Sequence, residues 1–564
     1  MKYNKLMKRK LLFGFSLLVF AMGGSAQTQF SGSLDVAGGI GHANPWAGGM
    51  KLELKKEGKF LLSPFMRAYG INRNSSGMTE DIDFTYSGIM PLSQNAGNQY
   101  MSHRRTSNSG WGMQSGVTVQ FTPDRHNLFK VDLVGEHVRQ SLTGCQDEKT
   151  LGADGSLLSS VQSSFDNPTT KDHSLSVTAL YQYKTNLEGE VVSLQYKYAQ
   201  DNVEERVEQK VDKQQNFSAF QTNSLFSEAH VKRMDAQLDW HRPVAKGQSF
   251  DLGARYEGRN DELSDLQRFD GKAVVDEGYE HSYHTVGAFA AYNLRLKSLT
   301  AMARLEYDYT RQQGNDLSDL VPTARVQWQM SKKNSLTALY GRRIIRPTYD
   351  YLNPAHIRTA YTEYYGNPDL VGMHANNVQL AYQFKTQPVD FSATLQHIFA
   401  NDGFNAIWME RDNVRLSTWG NEGKRRAWGL TPDVKWRPSA QTTLEASATV
   451  LWDKRVADAI HMAKEHWGVT AHVGLKQMLP FALLLNLAAD YAEGNTIDLY
   501  SHAGRSVGLN AGLQHTFCNF LTVALDYRFN EYPQTVLTQG GYTGKVHLRP
   551  TNQHAAVAKV SVKF

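Results

Sequence analysis

The last ten residues, 555–564, read Ala-Ala-Val-Ala-Lys-Val-Ser-Val-Lys-Phe, and no other stretch restricts the fold as strongly. Taken in steps of two, Ala556, Ala558, Val560, Val562 and Phe564 form an apolar face, and Val557, Lys559, Ser561 and Lys563 a mostly polar one. Successive strand side chains point to opposite faces, so the chain ends on a strand that is apolar on one side and charged on the other. At the edge of a soluble sheet such a strand invites aggregation. In a closed membrane barrel, pairing with the first strand removes the edge and lipid covers the apolar face. The terminal strand therefore predicts an all-β, antiparallel transmembrane barrel.

The same period of two recurs upstream. In Leu521–Phe529 the odd positions Leu521, Val523, Leu525, Tyr527 and Phe529 oppose Thr522, Ala524, Asp526 and Arg528. Phe481–Tyr491, Phe250–Glu257 and Leu299–Tyr309 alternate likewise, with Asp251, Arg255, Arg304, Glu306 and Asp308 on the polar face. Such charges suit a wet lumen and would be costly in a packed sandwich core. Phe481 and Tyr491, ten positions apart on one face, would span about 33 Å of strand. Tilted, that matches the roughly 25 Å between two aromatic girdles. The mean hydropathy of −0.47 does not contradict a membrane fold. Lumen-facing polar residues cancel lipid-facing ones in any average.

Residues 1–26 read as a signal peptide: a basic start (Lys2, Lys5, Lys8, Arg9, Lys10), the apolar run Leu11–Ala21, and small residues Gly24-Ser25-Ala26 before Gln27. Cleavage would remove five of the 60 Lys+Arg and none of the 55 Asp+Glu, erasing the +5 surplus. Nucleic-acid binders carry such a surplus, so that class is excluded. The expected organisation is a signal peptide over 1–26 and one barrel over 27–564.

Short polar links at 55–59, 122–127, 185–189, 242–248, 296–298, 331–334, 386–389, 437–441, 478–480 and 517–519 mark ten hairpins. Adding a first strand near Phe30–Ile40 and the last at Ala555–Phe564 gives about 22 strands. Short turns belong on the periplasmic side. The longer links 73–109, 142–170, 203–225, 263–279, 347–373 and 535–552 are then expected as extracellular loops. Cys145 falls in an outer loop and Cys518 in a periplasmic turn, so the membrane separates them beyond disulfide reach.

Around the seventh hairpin stand Arg346-Pro347, Leu352-Asn353-Pro354 and Gly366-Asn367-Pro368-Asp369-Leu370. This resembles the "RP…LNP…GNP-x-L" signature in the barrel of TonB-dependent receptors, in their outer-membrane barrel family. Asn421-Glu-Gly423 leading to Trp428-Gly429-Leu430 resembles a second strand of that family. Two departures are Val371-Gly372-Met373-His374, where the family has Pro-Glu, and Leu430-Thr431 in place of Glu-Leu. The terminal strand, through Val560, Val562 and Phe564, resembles the signal read by the barrel-assembly machinery. Physically the loop motif is a shaping device, since Pro347, Pro354 and Pro368 fix φ and Gly366-Asn367 favours a turn. Arg342, Arg343 and Arg346 have two readings: contact with an anionic ligand or lipopolysaccharide, or bonds to loop carbonyls and the barrel wall.

The resemblance implies transport or uptake of a solute across the outer membrane, with outer-membrane lipid and lipopolysaccharide as surroundings. Such receptors carry a plug domain before the barrel, and strand-like Phe30–Val36 follows residue 26 almost at once. The barrel is therefore expected to lack a plug of its own. Its lumen would be closed by inward-folded loops or by a separate plug or surface lipoprotein, or stand partly open. The alternative function is a non-transporting surface anchor or scaffold for a partner protein. Val203–Lys213 alternates charge with a four-residue apolar spacing and reads as a solvated loop or a short docking helix. No motif indicates a catalytic, metal or cofactor site, and His397, His515 and His554 have no sequence partners that would make an enzyme.

Overall fold

The computed structural model describes residues 28–40, 46–56, 59–71, 78–86, 97–217, 219–313, 315–411, 414–537, 542–550 and 552–564. The signal peptide expected at 1–26 lies outside these. Of the 28 strands that the described residues form in a single sheet, six lie off the wall: Met78–Tyr86, Ile357–Arg358, Thr362–Tyr364, Ser501–Ala503, Gln534–Leu537 and Tyr542–Pro550. The other 22 form a closed ring in which each strand pairs antiparallel with its neighbours. The ring shuts where Thr28–Ile40 meets His554–Lys563, in a register running from Ser33↔Lys563 to Ile40↔Ala556.

Turns at one end of the barrel fall where the sequence places them, for instance at 122–126, 296–298, 386–388 and 518–520. The faces also follow the alternation. Leu305, Tyr307 and Tyr309 are exposed on the lipid side, while Glu306 and Asp308 are buried on the other. There Arg255 lies 2.6 Å from Glu306 and 2.5 Å from Asp308. Lys435 and Lys476 likewise flank Glu445. Lumen charges are thus set against one another across strands.

Three differences from the sequence reading have a common cause. The stretches 142–170, 203–225 and 263–279 are not loops. They are the outer arms of long strands, Asn127–Leu151 with Leu157–Lys184, Val191–Gln215 with Thr222–Ala245, and Gln248–Phe269 with Lys272–Arg295. Above the lipid no apolar stripe is needed, so side-chain alternation lapses while the backbone ladder continues. Val203–Lys213 is accordingly strand rather than helix or loop. Its four-residue spacing is an even number and serves a strand face equally well, with Val211 buried. Cys145 sits on such an arm, and both cysteines are free and exposed.

Phe481 is a smaller correction. It lies in the turn 480–482 with φ of 63°, and the strand begins at Leu483. Pro480 and the two left-handed residues Phe481 and Ala482 end the ladder before the aromatic ring is reached. The ten-residue girdle spacing is instead realised on Gln99–Phe121, where Trp111 and Phe121 are both exposed on the lipid face.

These faces give a direct test. Leu487 faces lipid midway along Leu483–Glu493 and Ala488 faces the lumen. Leu487→Arg should cost about 2–4 kcal/mol and Ala488→Arg about 1 kcal/mol or less, measured by urea unfolding in lipid vesicles.

Candidate functional site: the strap across the outer mouth

The link between Asn334–Ile345 and Met373–Lys385 does not arch outward. Residues 346–372 run inward as a strap held at both ends and in the middle. At its start Arg346 donates through Nη2 to the hydroxyls of Thr285 (2.9 Å) and Thr310 (2.7 Å), with its guanidinium 5.0 Å from the Tyr283 ring centre. Pro347 is buried and directs the chain into the one-turn helix Tyr349–Leu352, whose Leu352 is fully buried.

Asn353 ties the turn to the wall, its amide donating to Asp265 at 2.6 Å. Pro354 follows, half-buried, and leads to Ala355 and Ile357, which pack on Val275. Gly366 returns against the same turn, its N–H donating to the Asn353 carbonyl at 2.5 Å. A Cβ there would stand 2.5–2.6 Å from the backbone of Leu352 and Asn353, so only glycine fits. Asn367 donates to the Trp419 carbonyl, and Pro368 precedes the buried Leu370, whose carbonyl accepts from Gln312. All nine motif residues are therefore gathered where the two strap ends meet the wall. Of the three arginines, Arg346 contacts wall hydroxyls.

The middle of the strap bridges the mouth, since Thr362–Tyr364 pairs with Arg415–Ser417 of Val414–Ser439, ten strands round the ring from the arm that carries Ser159. Tyr361 exchanges a hydrogen bond with Ser159 at 2.9 Å and meets the Tyr100 ring edge-on at 5.8 Å. Ala360 and Tyr361 join a buried cluster with Val161, Phe220, Met462 and Tyr500, drawn from arms and links around the ring. Tyr500 stacks on Trp408 at 4.0 Å, donates to the Ala406 carbonyl and accepts from the Trp408 N–H. Each such aromatic side chain contributes roughly 1.5–3 kcal/mol of burial. A small apolar core thus lies over the outer mouth.

A family model described as the outer membrane protein beta-barrel family matches residues 167–544, more than half of the sequence. The chain belongs to that family. It is an outer-membrane barrel, and its short turns therefore face the periplasm. No curated protein sequence matches it. Its fold is similar to that of the copper transporter OprC (TM-score 0.64, 11% identity), over 96% of this chain and 81% of that one. A mutant of the ferric enterobactin receptor from Pseudomonas aeruginosa is similar at TM-score 0.61 and 12% identity, and the ferric yersiniabactin uptake receptor of Yersinia pestis at 0.60 and 11%. Coverage is again 96% of this chain and 81% of each of theirs. These neighbours are transporters and receptors rather than enzymes.

Within this family barrel, the residues that sequence reasoning missed are those of the outer core. Phe217 and Phe220 in one outer link, Tyr361 in the strap and Tyr500 in another are aromatic residues stranded among polar ones. That isolation was their available signal. His397 stacks on Trp428, His515 contacts the Ala482 carbonyl and His554 the Tyr527 hydroxyl, so the three are dispersed. Among the described residues, no three metal-ligating side chains converge.

One buried acid stands beside the outer core. Glu148, 3% exposed on an outer arm, accepts a 2.6 Å bond from the Tyr100 hydroxyl. Burial pushes its carboxyl up to about 7, against the opposing pull of Tyr100, Arg104 and Arg415. The folded value exceeds the unfolded one, so the folded state holds the extra proton between them. Stability of the outer core should then fall as pH rises from about 4.5 to 7. Hydrogen exchange over 99–105 and 145–150 should be faster at pH 8 than at pH 5.5, after correction for intrinsic rates. Glu148→Gln should remove the difference.

Proposed function

We propose that this barrel passes a solute across the outer membrane through a lumen gated on the outside by the 346–372 strap. The observation that carries the reading is the strap's attachment to strands ten places apart in the ring of 22, through Tyr361 to Ser159 on one side and through Thr362–Tyr364 to Arg415–Ser417 on the other. A scaffold needs no such crossing, whereas a gated conduit does. The likeness to transporters of copper and of ferric siderophores supports transport as the class. In this reading the nine motif residues shape the strap rather than bind the solute, and closure comes from the outer loops rather than from a plug within the described chain. A separate plug or surface lipoprotein would then act as an additional partner from the periplasmic or outer side.

Planar-bilayer recording tests this. Replacing 355–365 by a short Gly-Ser linker retains the Arg346, Asn353 and Gly366 anchors and removes the crossing. The intact protein should be mostly closed and the variant should conduct in wide, weakly selective steps. Weak selectivity is expected because lumen charges are paired across strands. A silent variant, with insertion confirmed by heat-dependent gel mobility, would favour the surface anchor.

The terminal strand is assigned the insertion role through Val560, Val562 and Phe564. The Phe564 ring lies 5.8 Å from that of Phe30 across the closing pair. Deleting Phe564 should reduce the heat-modifiable fraction in outer membranes, whereas Lys563→Ala should leave it unchanged.

A further inference from the structure

On the outer surface, four cation-forming side chains stand together where the lipid-facing stripe ends. His137 is directly opposite His173 and Arg139 directly opposite Lys171 on neighbouring strands. All four share the outward face of Phe129, Val131 and Leu133 on one strand and of Leu175 on the next. Like charges placed opposite one another weaken a sheet, so the Arg139–Lys171 pair, with two proton-sharing histidines beside it, calls for a compensating anion. On this face Glu204 lies 2.6 Å from Lys171, and Asp172, next in sequence and on the other face of the sheet, is near enough to act on both histidines. Arg139 is exposed and makes no ion pair among the described residues. The two histidines touch, Nδ1 to Nδ1 at 2.9 Å, which leaves room for one proton between those atoms.

The height of the patch identifies the anion. Trp111 and Phe121 lie ten residues apart on one lipid-facing strand, which spans roughly 25 Å of membrane normal at a usual tilt. Phe121 adjoins a periplasmic turn, so Trp111 marks the outer boundary of the hydrocarbon. Arg139 is the register partner of Trp111, and the His137 ring lies 4.8 Å from the indole. The cations therefore sit at the level of lipid headgroups in the outer leaflet, where the anions are phosphates. A guanidinium matches phosphate geometry in a paired, charge-assisted fashion, and a lysine adds a mobile point charge.

We propose that Arg139, Lys171, His137 and His173 form a binding site for the phosphate of an outer-leaflet lipid headgroup, with Trp111 against the adjoining acyl region. The site lies outside the lumen and is independent of what the barrel conducts. Bound there, a phosphate offsets the Arg139–Lys171 repulsion and fixes this sector of the wall against the leaflet.

Native mass spectrometry of the detergent-purified barrel with phosphorylated lipid A, and with the same lipid dephosphorylated, tests the proposal. The intact protein should hold the phosphorylated form preferentially. Arg139→Gln with Lys171→Gln should weaken that binding by roughly tenfold or more. Glu204→Gln, which frees Lys171, should strengthen it, and this variant carries the test should the double one fail to fold by heat-dependent mobility. Equal binding of the two lipids would overturn the proposal. So would a folded double variant that binds as well as the wild type, or an unchanged affinity in Glu204→Gln. Displacement of the lipid by a few millimolar inorganic phosphate would assign the site to free phosphate and overturn the lipid assignment.

Discussion

Inside hydrocarbon no water can satisfy a backbone N–H or carbonyl, so every strand there must have a partner on both sides. The rest of the molecule follows from meeting that demand once around a ring. Its last instance joins the chain ends: the Gly32 N–H donates to the Phe564 carbonyl at 2.7 Å, and the Phe564 N–H donates back to Gly32 at 3.0 Å. Gly32 stands where a Cβ would meet the Lys51 carbonyl at 2.7 Å and the Phe564 ring at 2.9 Å. The small residue and the large one form a matched pair at the seam.

Beyond the lipid the demand relaxes, and the outer arms use the freedom. They keep their ladder, lose their apolar stripe and lean on a shared core built from a few aromatic residues. The strap depends on both regimes. Its ends are held by hydroxyls and a carboxylate of the wall below, through Arg346 and Asn353, and its middle by the apolar cluster around Tyr361. A segment fixed in this way is an ordered element rather than slack chain.

What could be read from the sequence divides along the same line. Alternation is a signal that the membrane imposes, so the lipid-facing strands, the turns between them and the total of 22 were legible. Above the membrane the pairing is written in backbone hydrogen bonds, which leave little trace in side-chain order, and 142–170 therefore looked like loop. The strap motif was visible as prolines and glycines, yet the partners of Arg346 and Asn353 lie on strands some 36 to 88 residues away in sequence and could not be deduced. The patch at Arg139 and Lys171 was invisible for a related reason. Its residues become neighbours only once the register is known.

The off-wall strands have a consequence for how the ring comes together. Tyr542–Pro550 pairs with Met78–Tyr86, and Asp81 forms an ion pair with Arg549, 468 positions away. Just below, His554–Lys563 pairs with Thr28–Ile40. Both tiers are thus joined by contacts between the two extremities of the chain, the costliest loops to close and the slowest to find. A chain that lacks its final thirty residues has neither join. Completion of the wall in the membrane and of the rim above it therefore becomes a single late event, and a barrel without its last strands remains an open sheet at both levels.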